Sequence, residues 1–494
     1  MSHILRDSDQ IGLVYRQPMA TANKSVYVIS DLHLGGKPAL DGRGFRICTR
    51  EAELAAFVTK ITKADAGTVE LVINGDSVDF LAESSVDAPE RWEAFRTNEA
   101  HAVAILDRIA ERSALFFQSL QALLKKGHRL VILPGNHDIE LNLPQVRARL
   151  RYHVGASGPA DYEFIPHGEA YRVGDVLIEH GNRVDDMNFV DQNELRTFCG
   201  MLSRCDPKEK DFRYDPPAGS KLVAELINDI KKTYSFIDLL KPEKEAAFPI
   251  ILALEPGRRG DLLRIATALA EGKLRRSRQL LLNWTNISAG PEPVLPLPSV
   301  DSELDPLQQS LLRTVKRADF GEFHSSNGTV QEIGAFDRFQ SFAALLFGHR
   351  NETWNQRLAD LLAALRSFQN VSAFDQSVEA DESYADEASR LAYGPIRHVV
   401  FGHTHLAKMV KLGEGRFYFN SGTWADLLRL PKKILDPTRT YSPFAELEKL
   451  MKNLIKQKYD GYKMFHPTYV HFVQDPDGHS VQFELCNHNW KALS

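Results

Sequence analysis

The chain has 494 residues, 43% of them hydrophobic and 25% charged, with a formal net charge of −5. That is the make-up of an ordinary soluble globular protein, and the charge excludes a molecule built as a whole to hold polyanions. No apolar run approaches the roughly 20 residues a membrane span needs. The N-terminus lacks a secretory apolar core, and Cys48, Cys199, Cys205 and Cys486 form no Cys-x-x-Cys pair, so reduced thiols in a cytoplasmic protein are expected.

In chain order, residues 1–24 are a polar, irregular lead-in. An apolar run at 26–30 then ends in Asp31-Leu32-His33. Leu54, Phe57, Val58 and Ile61 predict a helix over 51–63. The run Leu71-Val72-Ile73 ends in Asn74-Gly75-Asp76-Ser77-Val78-Asp79. One long helix is predicted from about 98 to 126, closed by Gly127. The run 129–133 must stop at Pro134, which has no N–H for a ladder. It presents Asn136, His137 and Asp138 on a tight loop. Residues 161–180 read as consecutive strands around a Gly174-Asp175 turn, and the last runs into His180-Gly181-Asn182.

From 186 to 394 the character changes. Helical spacing near 220–240, 260–284, 306–318 and 334–368, with an extended Pro-rich segment at 291–298, reads as a mostly helical insertion. The run 398–401 then ends in Gly402-His403-Thr404-His405. A strand and turn at 416–422, a basic amphipathic helix at 440–458 and a closing hairpin at 469–485 complete the chain. The expected organisation is an α/β core of 25–185 plus 395–494, interrupted by the insertion as a cap.

Five apolar runs thus stop in Asp, Asn or His. In α/β sheets ligands bind beyond the carboxyl ends of strands, so five strand ends deliver one cluster of oxygen and nitrogen donors to one sheet edge. Two divalent ions about 3.5–4 Å apart can clamp the attacking and leaving oxygens of a displacement at phosphorus. Asp76 has two oxygens and could bridge them. Asp31, His33, Asn136, His180, His403 and His405 would complete the shells. The absence of cysteine argues against a closed structural zinc site and leaves manganese, iron, zinc or cobalt open.

The series Asp31-x-His33, Gly75-Asp76-x-x-Asp79, Gly135-Asn136-His137-Asp138, His180, Gly402-His403-x-His405 resembles the calcineurin-like metallophosphoesterases over 25–185 and 395–425. The resemblance implies two packed mixed β-sheets flanked by helices. It implies Asp31, His33, Asp76 and His405 on one metal and Asp76, Asn136, His180 and His403 on the other. His137 would be the general acid or transition-state donor, oriented and charged by Asp79. Phe80-Leu81 after Asp79 departs from the Asp-Arg-Gly of protein phosphatases. Ser30–Gly35 and Glu179–Asn182 look more like the bacterial branch containing UDP-diacylglucosamine hydrolase, although His-Gly-Asn stands where that branch has His-Gly-Asp.

The expected function is therefore hydrolysis of a phosphoester or pyrophosphate bond by a metal-bound hydroxide. The substrate would be a phosphorylated small molecule, a nucleotide or a lipid-linked compound. The rivals are a nuclease of the same superfamily and a non-catalytic binding scaffold on this fold. Arg258, Arg259, Arg264, Lys273, Arg275, Arg276 and Arg278 form either a solvated helix face or a patch for a phosphate-rich substrate. Asn182, Asp185 and Asp186 either line the site or cap their loop. Phe347-Gly348-His349-Arg350 lacks the second histidine and is read as structural.

Overall fold

Lys24–Ile29 (β1), Val69–Asn74 (β2) and Arg129–Leu133 (β3) are short runs of β-branched and aliphatic residues that lie parallel and side by side. A computed structural model describes residues 23–37, 45–258, 353–435 and 442–487, apart from 207, 209, 210, 242, 369, 370, 476 and 478. The lead-in to residue 22, the stretches 260–284 and 306–318, the Pro-rich segment, residues 347–350 and the basic side chains from Arg258 to Arg278 lie outside the described residues.

Between β1 and β2 lies the helix Glu51–Ile61 (α1). Between β2 and β3 lie two helices, Glu99–Arg112 (α2) and Ala114–Lys125 (α3), where the apolar periodicity predicts one. The chain leaves the helix at Ser113, and the Phe116 N–H meets the Glu51 carboxylate at 3.3 Å. A carboxylate at a helix start satisfies donors that the helix itself cannot. The apolar pattern runs through the break in phase, so periodicity cannot reveal it. After β3 come Pro144–Val154 (α4), Tyr162–Phe164 (β4), Tyr171–Val173 (β5) and Val176–Ile178 (β6).

The later strands are His398–Phe401 (β7), Lys408–Gly413 (β8), Arg416–Asn420 (β9), Leu427–Leu428 (β10), Lys463–Met464 (β11), Thr468–Gln474 (β12) and Ser480–Asn487 (β13). One mixed sheet has the order β13-β12-β1-β2-β3-β4 and the other β5-β6-β7-β9-β8. Val26, Val28, Val72 and Val131 of the first sheet pack against Val176, Ile178, Val400 and Phe419 of the second. On the other face of the first sheet Leu71, Ile73, Leu130 and Ile132 meet α1 to α4. The helix Glu382–Leu391 covers the outer face of the second sheet through Tyr384 and Ala388. The result is a mixed α/β sandwich of helix, sheet, sheet and helix, with strands buried on both faces.

Among the described residues between β6 and β7 every named element is helical. Gln192–Ser203 (α5) packs into the first core through Leu195, Phe198 and Cys199. Ala218–Leu222 (α6) runs through a π turn, Val223–Ile227, into Asn228–Lys231 (α7). These residues, Glu243–Leu254 (α8) and Trp354–Phe368 share one apolar cluster with the helix Pro443–Ile455. No described helix is long and apolar enough to cross a membrane.

Candidate metal centre

Because β1, β2 and β3 run parallel, as do β6 and β7, their carboxyl ends emerge at one edge of the sandwich. Asp31 and His33 follow β1, Asp76 and Asp79 follow β2, and Asn136 and His137 follow β3. His180 follows β6, while His403 and His405 follow β7. All nine sequence-expected site residues therefore meet in one place. Donor atoms of Asp31, His33 and His405 lie within 4.8 Å of one another, as do those of Asp76, His180 and His403.

The backbone there is unusual. Asp31, His33, Asp76, His403 and His405 have φ between 44° and 68°, in the left-handed region that side chains with a Cβ rarely enter. Neighbouring glycines make room. A Cβ on Gly135 would stand 2.2 Å from Asp76 Oδ1, and one on Gly75 (φ +83°) would stand 2.2 Å from His180 Nδ1.

Asp76 occupies the middle. Its Oδ1 accepts from the His137 N–H at 2.8 Å, while its Oδ2 lies 3.7 Å from His33 Nε2 and 3.3 Å from His180 Nε2. His33 Nε2 and His405 Nε2 are 3.0 Å apart, and His405 Nε2 lies 3.3 Å from Asp31 Oδ1.

The tautomers follow from the partners, since a carboxylate or carbonyl can only accept. Asp79 Oδ2 takes His33 Nδ1 at 3.2 Å, and Asp79 Oδ1 takes His137 Nδ1 at 3.2 Å. The Asn74 carbonyl takes His180 Nδ1 at 2.8 Å. His33 and His180 therefore turn Nε2 lone pairs inward. His403 is reversed: its Nε2 faces Asp185 Oδ2 at 3.3 Å, which leaves Nδ1 as the nitrogen that could meet a cation.

Sequence reasoning left the role of Asp185 open. It fixes His403, and is itself held by Met187 N–H at 3.0 Å and Asn188 Nδ2 at 2.9 Å. Asn182, also named there, donates to the Asn188 carbonyl at 2.9 Å and caps its loop.

Two groups of supporting residues escaped sequence reasoning. Asp138 accepts from Gly135 N–H at 2.6 Å and from Ser77 N–H and Oγ at 2.8 Å, which ties the β3 loop to the β2 loop. Thr423, after β9, donates its Oγ to the Asp31 carbonyl at 2.6 Å, and Asn420, the last residue of β9, donates its Nδ2 to the Gly402 carbonyl at 2.6 Å. The signal for the second group was present: β9 also ends in an Asn-Ser-Gly turn at the same edge.

These residues fit divalent metal. Asn136 Oδ1 is buried without a hydrogen-bond partner, the condition of a ligand atom awaiting a cation. Burial opposes charge on His137 and His180, yet Asp79 and Asp76 on the first and Asp76 on the second hold the imidazoles up at about 9 and about 10. A cluster that draws protons so strongly calls for positive charge. Burial, followed by the Lys241 ammonium, pushes His405 well below its usual range and keeps it neutral, as a ligand must be. His137 is the outward member: its side chain is 24% exposed, against 1–2% for His33 and His180 and 8% for His403 and His405.

The edge of the sandwich thus gathers carboxylates and imidazoles in groups that could hold a divalent metal ion. Residues 24–229 match the family model for calcineurin-like phosphoesterases, hydrolases acting on phosphoester bonds, and this match supports the metallophosphoesterase superfamily for that part of the chain. No curated protein matches the chain.

Proposed function

We propose that the protein hydrolyses a phosphomonoester, phosphodiester or pyrophosphate bond at a dinuclear centre. Asp31, His33, Asp76 and His405 would hold one ion and Asp76, Asn136, His180 and His403 the other. When bound, the ions, manganese first and iron, zinc or cobalt as alternatives, supply Lewis acidity and lower the pKa of water. The observation that supports the reading is that Asp76 Oδ2 lies 3.7 Å from His33 Nε2 and 3.3 Å from His180 Nε2, so that one carboxylate could serve both shells.

The chain's own contribution centres on His137. Asp79 fixes its Nδ1–H, so the exposed edge of the ring presents Nε2–H to the substrate. A water oxygen attacks phosphorus and gives up a proton to solvent, the bond to the leaving oxygen breaks, that oxygen takes the His137 Nε2 proton, and His137 regains a proton from solvent. Asp79 also holds His33, so one carboxylate orients both the acid and a metal ligand.

The inserted helices within 186–394 would govern which substrate reaches the centre. Asn228 supports this, because its buried Nδ2 donates to the Leu81 carbonyl at 2.8 Å, two residues beyond Asp79. Reduced thiols, none of them paired among the described residues, support a cytoplasmic setting. The test is a screen of manganese-loaded protein against mono-, di- and pyrophosphate substrates. Hydrolysis of at least one class, abolished by chelator and by Asp76→Asn, is expected. Inactivity on all three with both metal positions filled would refute the reading.

A further inference from the structure

The helix Glu382–Leu391, the last before β7, touches the metal centre directly. The Asp381 side chain caps its start by accepting the Ser383 N–H at 3.0 Å. Tyr384 and Ala388, four residues apart, share its buried side. The Tyr384 ring lies within 28° of parallel to the His403 imidazole, with centroids 6.4 Å apart, and meets Phe401 edge-on at 6.3 Å. His180 approaches the His403 ring at 5.4 Å and 72°. The same helix also holds the neighbouring loop. Glu387 Oε1 lies 2.5 Å from Arg183 Nη1, and Arg183 Nη2 donates to Glu179 Oε1 at 2.7 Å. Two residues beyond Arg183 stands Asp185, which faces His403 Nε2. The chain leading into the helix is tied to the second sheet. Lys408 of β8 is buried, and its Nζ donates to the carbonyls of Ala373 at 2.7 Å, Asp375 at 2.8 Å and Val378 at 2.7 Å. The Tyr418 hydroxyl of β9 donates to the Glu379 carboxylate at 3.1 Å.

A hydrogen bond from one ring nitrogen fixes which nitrogen is protonated but leaves the imidazole free to turn about that bond. Aromatic rings at centroid separations of about 4.5–7 Å orient one another, and so supply the missing restraint. We propose that Tyr384 is a positioning residue for His403: its ring sets the plane of the imidazole while Asp185 sets the tautomer, and together they hold Nδ1 toward the metal centre. Glu387 serves the same end by fixing the loop that carries Asp185. The proposal rests on the metal-centre reading, and it assigns part of that centre's frame to a helix outside residues 24–229.

The experiment compares full-length wild type, Tyr384→Leu, Tyr384→Phe, Glu387→Gln and His403→Ala. Manganese binding is followed by calorimetry, and the His403 ring nitrogens are followed by NMR of metal-free, histidine-labelled protein in mildly alkaline buffer. His403→Ala identifies which binding step belongs to His403. In Tyr384→Leu that step should weaken by about tenfold or more, within the range that outer partners of metal-bound histidines govern, and the other step should stay unchanged. The His403 ring signals, those of one Nε2–H tautomer in wild type, should shift toward an average of the two tautomers. Tyr384→Phe keeps the ring and should keep both properties, while Glu387→Gln should follow Tyr384→Leu more mildly. Unchanged signals and binding in Tyr384→Leu, equal weakening of both steps, or a Tyr384→Phe as impaired as Tyr384→Leu would overturn the proposal. If wild type binds no metal, the metal-centre reading fails, and a tautomer shift in Tyr384→Leu still upholds the positioning of His403. Should Tyr384→Leu not fold, Glu387→Gln carries the comparison, and wild-type behaviour there overturns the proposal.

Discussion

The decisive perturbation is at His137, because it separates proton delivery from metal binding. His137 is not expected to be a ligand; its Nδ1 is held by Asp79 Oδ1 at 3.2 Å and its ring is the most exposed of the cluster's histidines. Its fixed positive charge is due to Asp79 and Asp76, which outweigh burial and hold it at about 9. An acid so placed typically contributes about 10²–10⁴-fold, or roughly 3–5 kcal/mol of barrier. That help matters only where the departing oxygen needs a proton. His137→Asn should therefore lose about 10²–10⁴-fold in kcat/KM on an alkyl phosphate. On a nitrophenyl ester, whose oxygen leaves readily as an anion, the loss should be about tenfold or less.

Asp79→Asn should behave differently, because its second oxygen holds His33 Nδ1. Carboxylates that orient metal-bound histidines typically govern about 10- to 100-fold in metal affinity. Asp79→Asn should lose affinity in that range as well as turnover, while His137→Asn keeps its metal. Steady-state kinetics on both esters under saturating manganese, with elemental analysis of each variant, make the comparison. Equal losses on the two esters with metal intact would mean that His137 stabilises charge instead of delivering a proton. Unchanged metal affinity in Asp79→Asn would refute the shared-carboxylate argument.

Asp76→Asn should depress occupancy of both metal positions and His33→Ala mainly one, as read by elemental analysis; about two ions per chain are expected in wild type and one in His33→Ala. Asp76 sits at φ 49°, so in metal-free protein Asp76→Gly should be more stable than Asp76→Ala by about 1 kcal/mol, the reverse of the order in a helix. A thermal midpoint for the alanine variant at or above that of the glycine variant would contradict the backbone argument. His398, its ring 4.1 Å from that of Phe483, is pushed down to about 4 by burial, with Arg397 and Arg416 adding to the effect against Asp175. A group whose folded pKa is depressed below its unfolded value stabilises above the unfolded pKa and loses that contribution as pH falls. His398→Phe should therefore flatten the decline in stability between about pH 6.5 and 4, by roughly 1–3 kcal/mol at the acid end, measured as unfolding midpoints across that range.

What could be read from the sequence was local. Each strand end carries its candidate ligands within a few residues of an apolar run, so Asp31, His33, Asp76, Asn136, His180, His403 and His405 are nameable as candidates one loop at a time. The parallel order that brings the loops together follows from α/β alternation. What could not be read depends on one loop meeting another. Asp138 bonds to the β2 loop, Thr423 and Asn420 reach the loops of β1 and β7, and Asp185 turns His403 around. These pairings join residues far apart in the chain, and no spacing encodes them. The break at Ser113 was hidden for the opposite reason: both helices keep one apolar phase.

The left-handed ligands connect the two kinds of information. Five non-glycine residues at positive φ cost on the order of 1–2 kcal/mol each, so the strand ends are held against their own backbone preference. The local sequence shows the glycines that admit such turns but not what sustains them. The sheets and cross-loop bonds sustain them: Asp31 N–H donates to the Gly75 carbonyl, His33 N–H to the Asp76 carbonyl and Gly402 N–H to the His180 carbonyl. Every one of these bonds joins one ligand-bearing loop to another. Asp31 and His33 therefore cannot relax to an ordinary backbone angle without disturbing their bonds to the β2 loop.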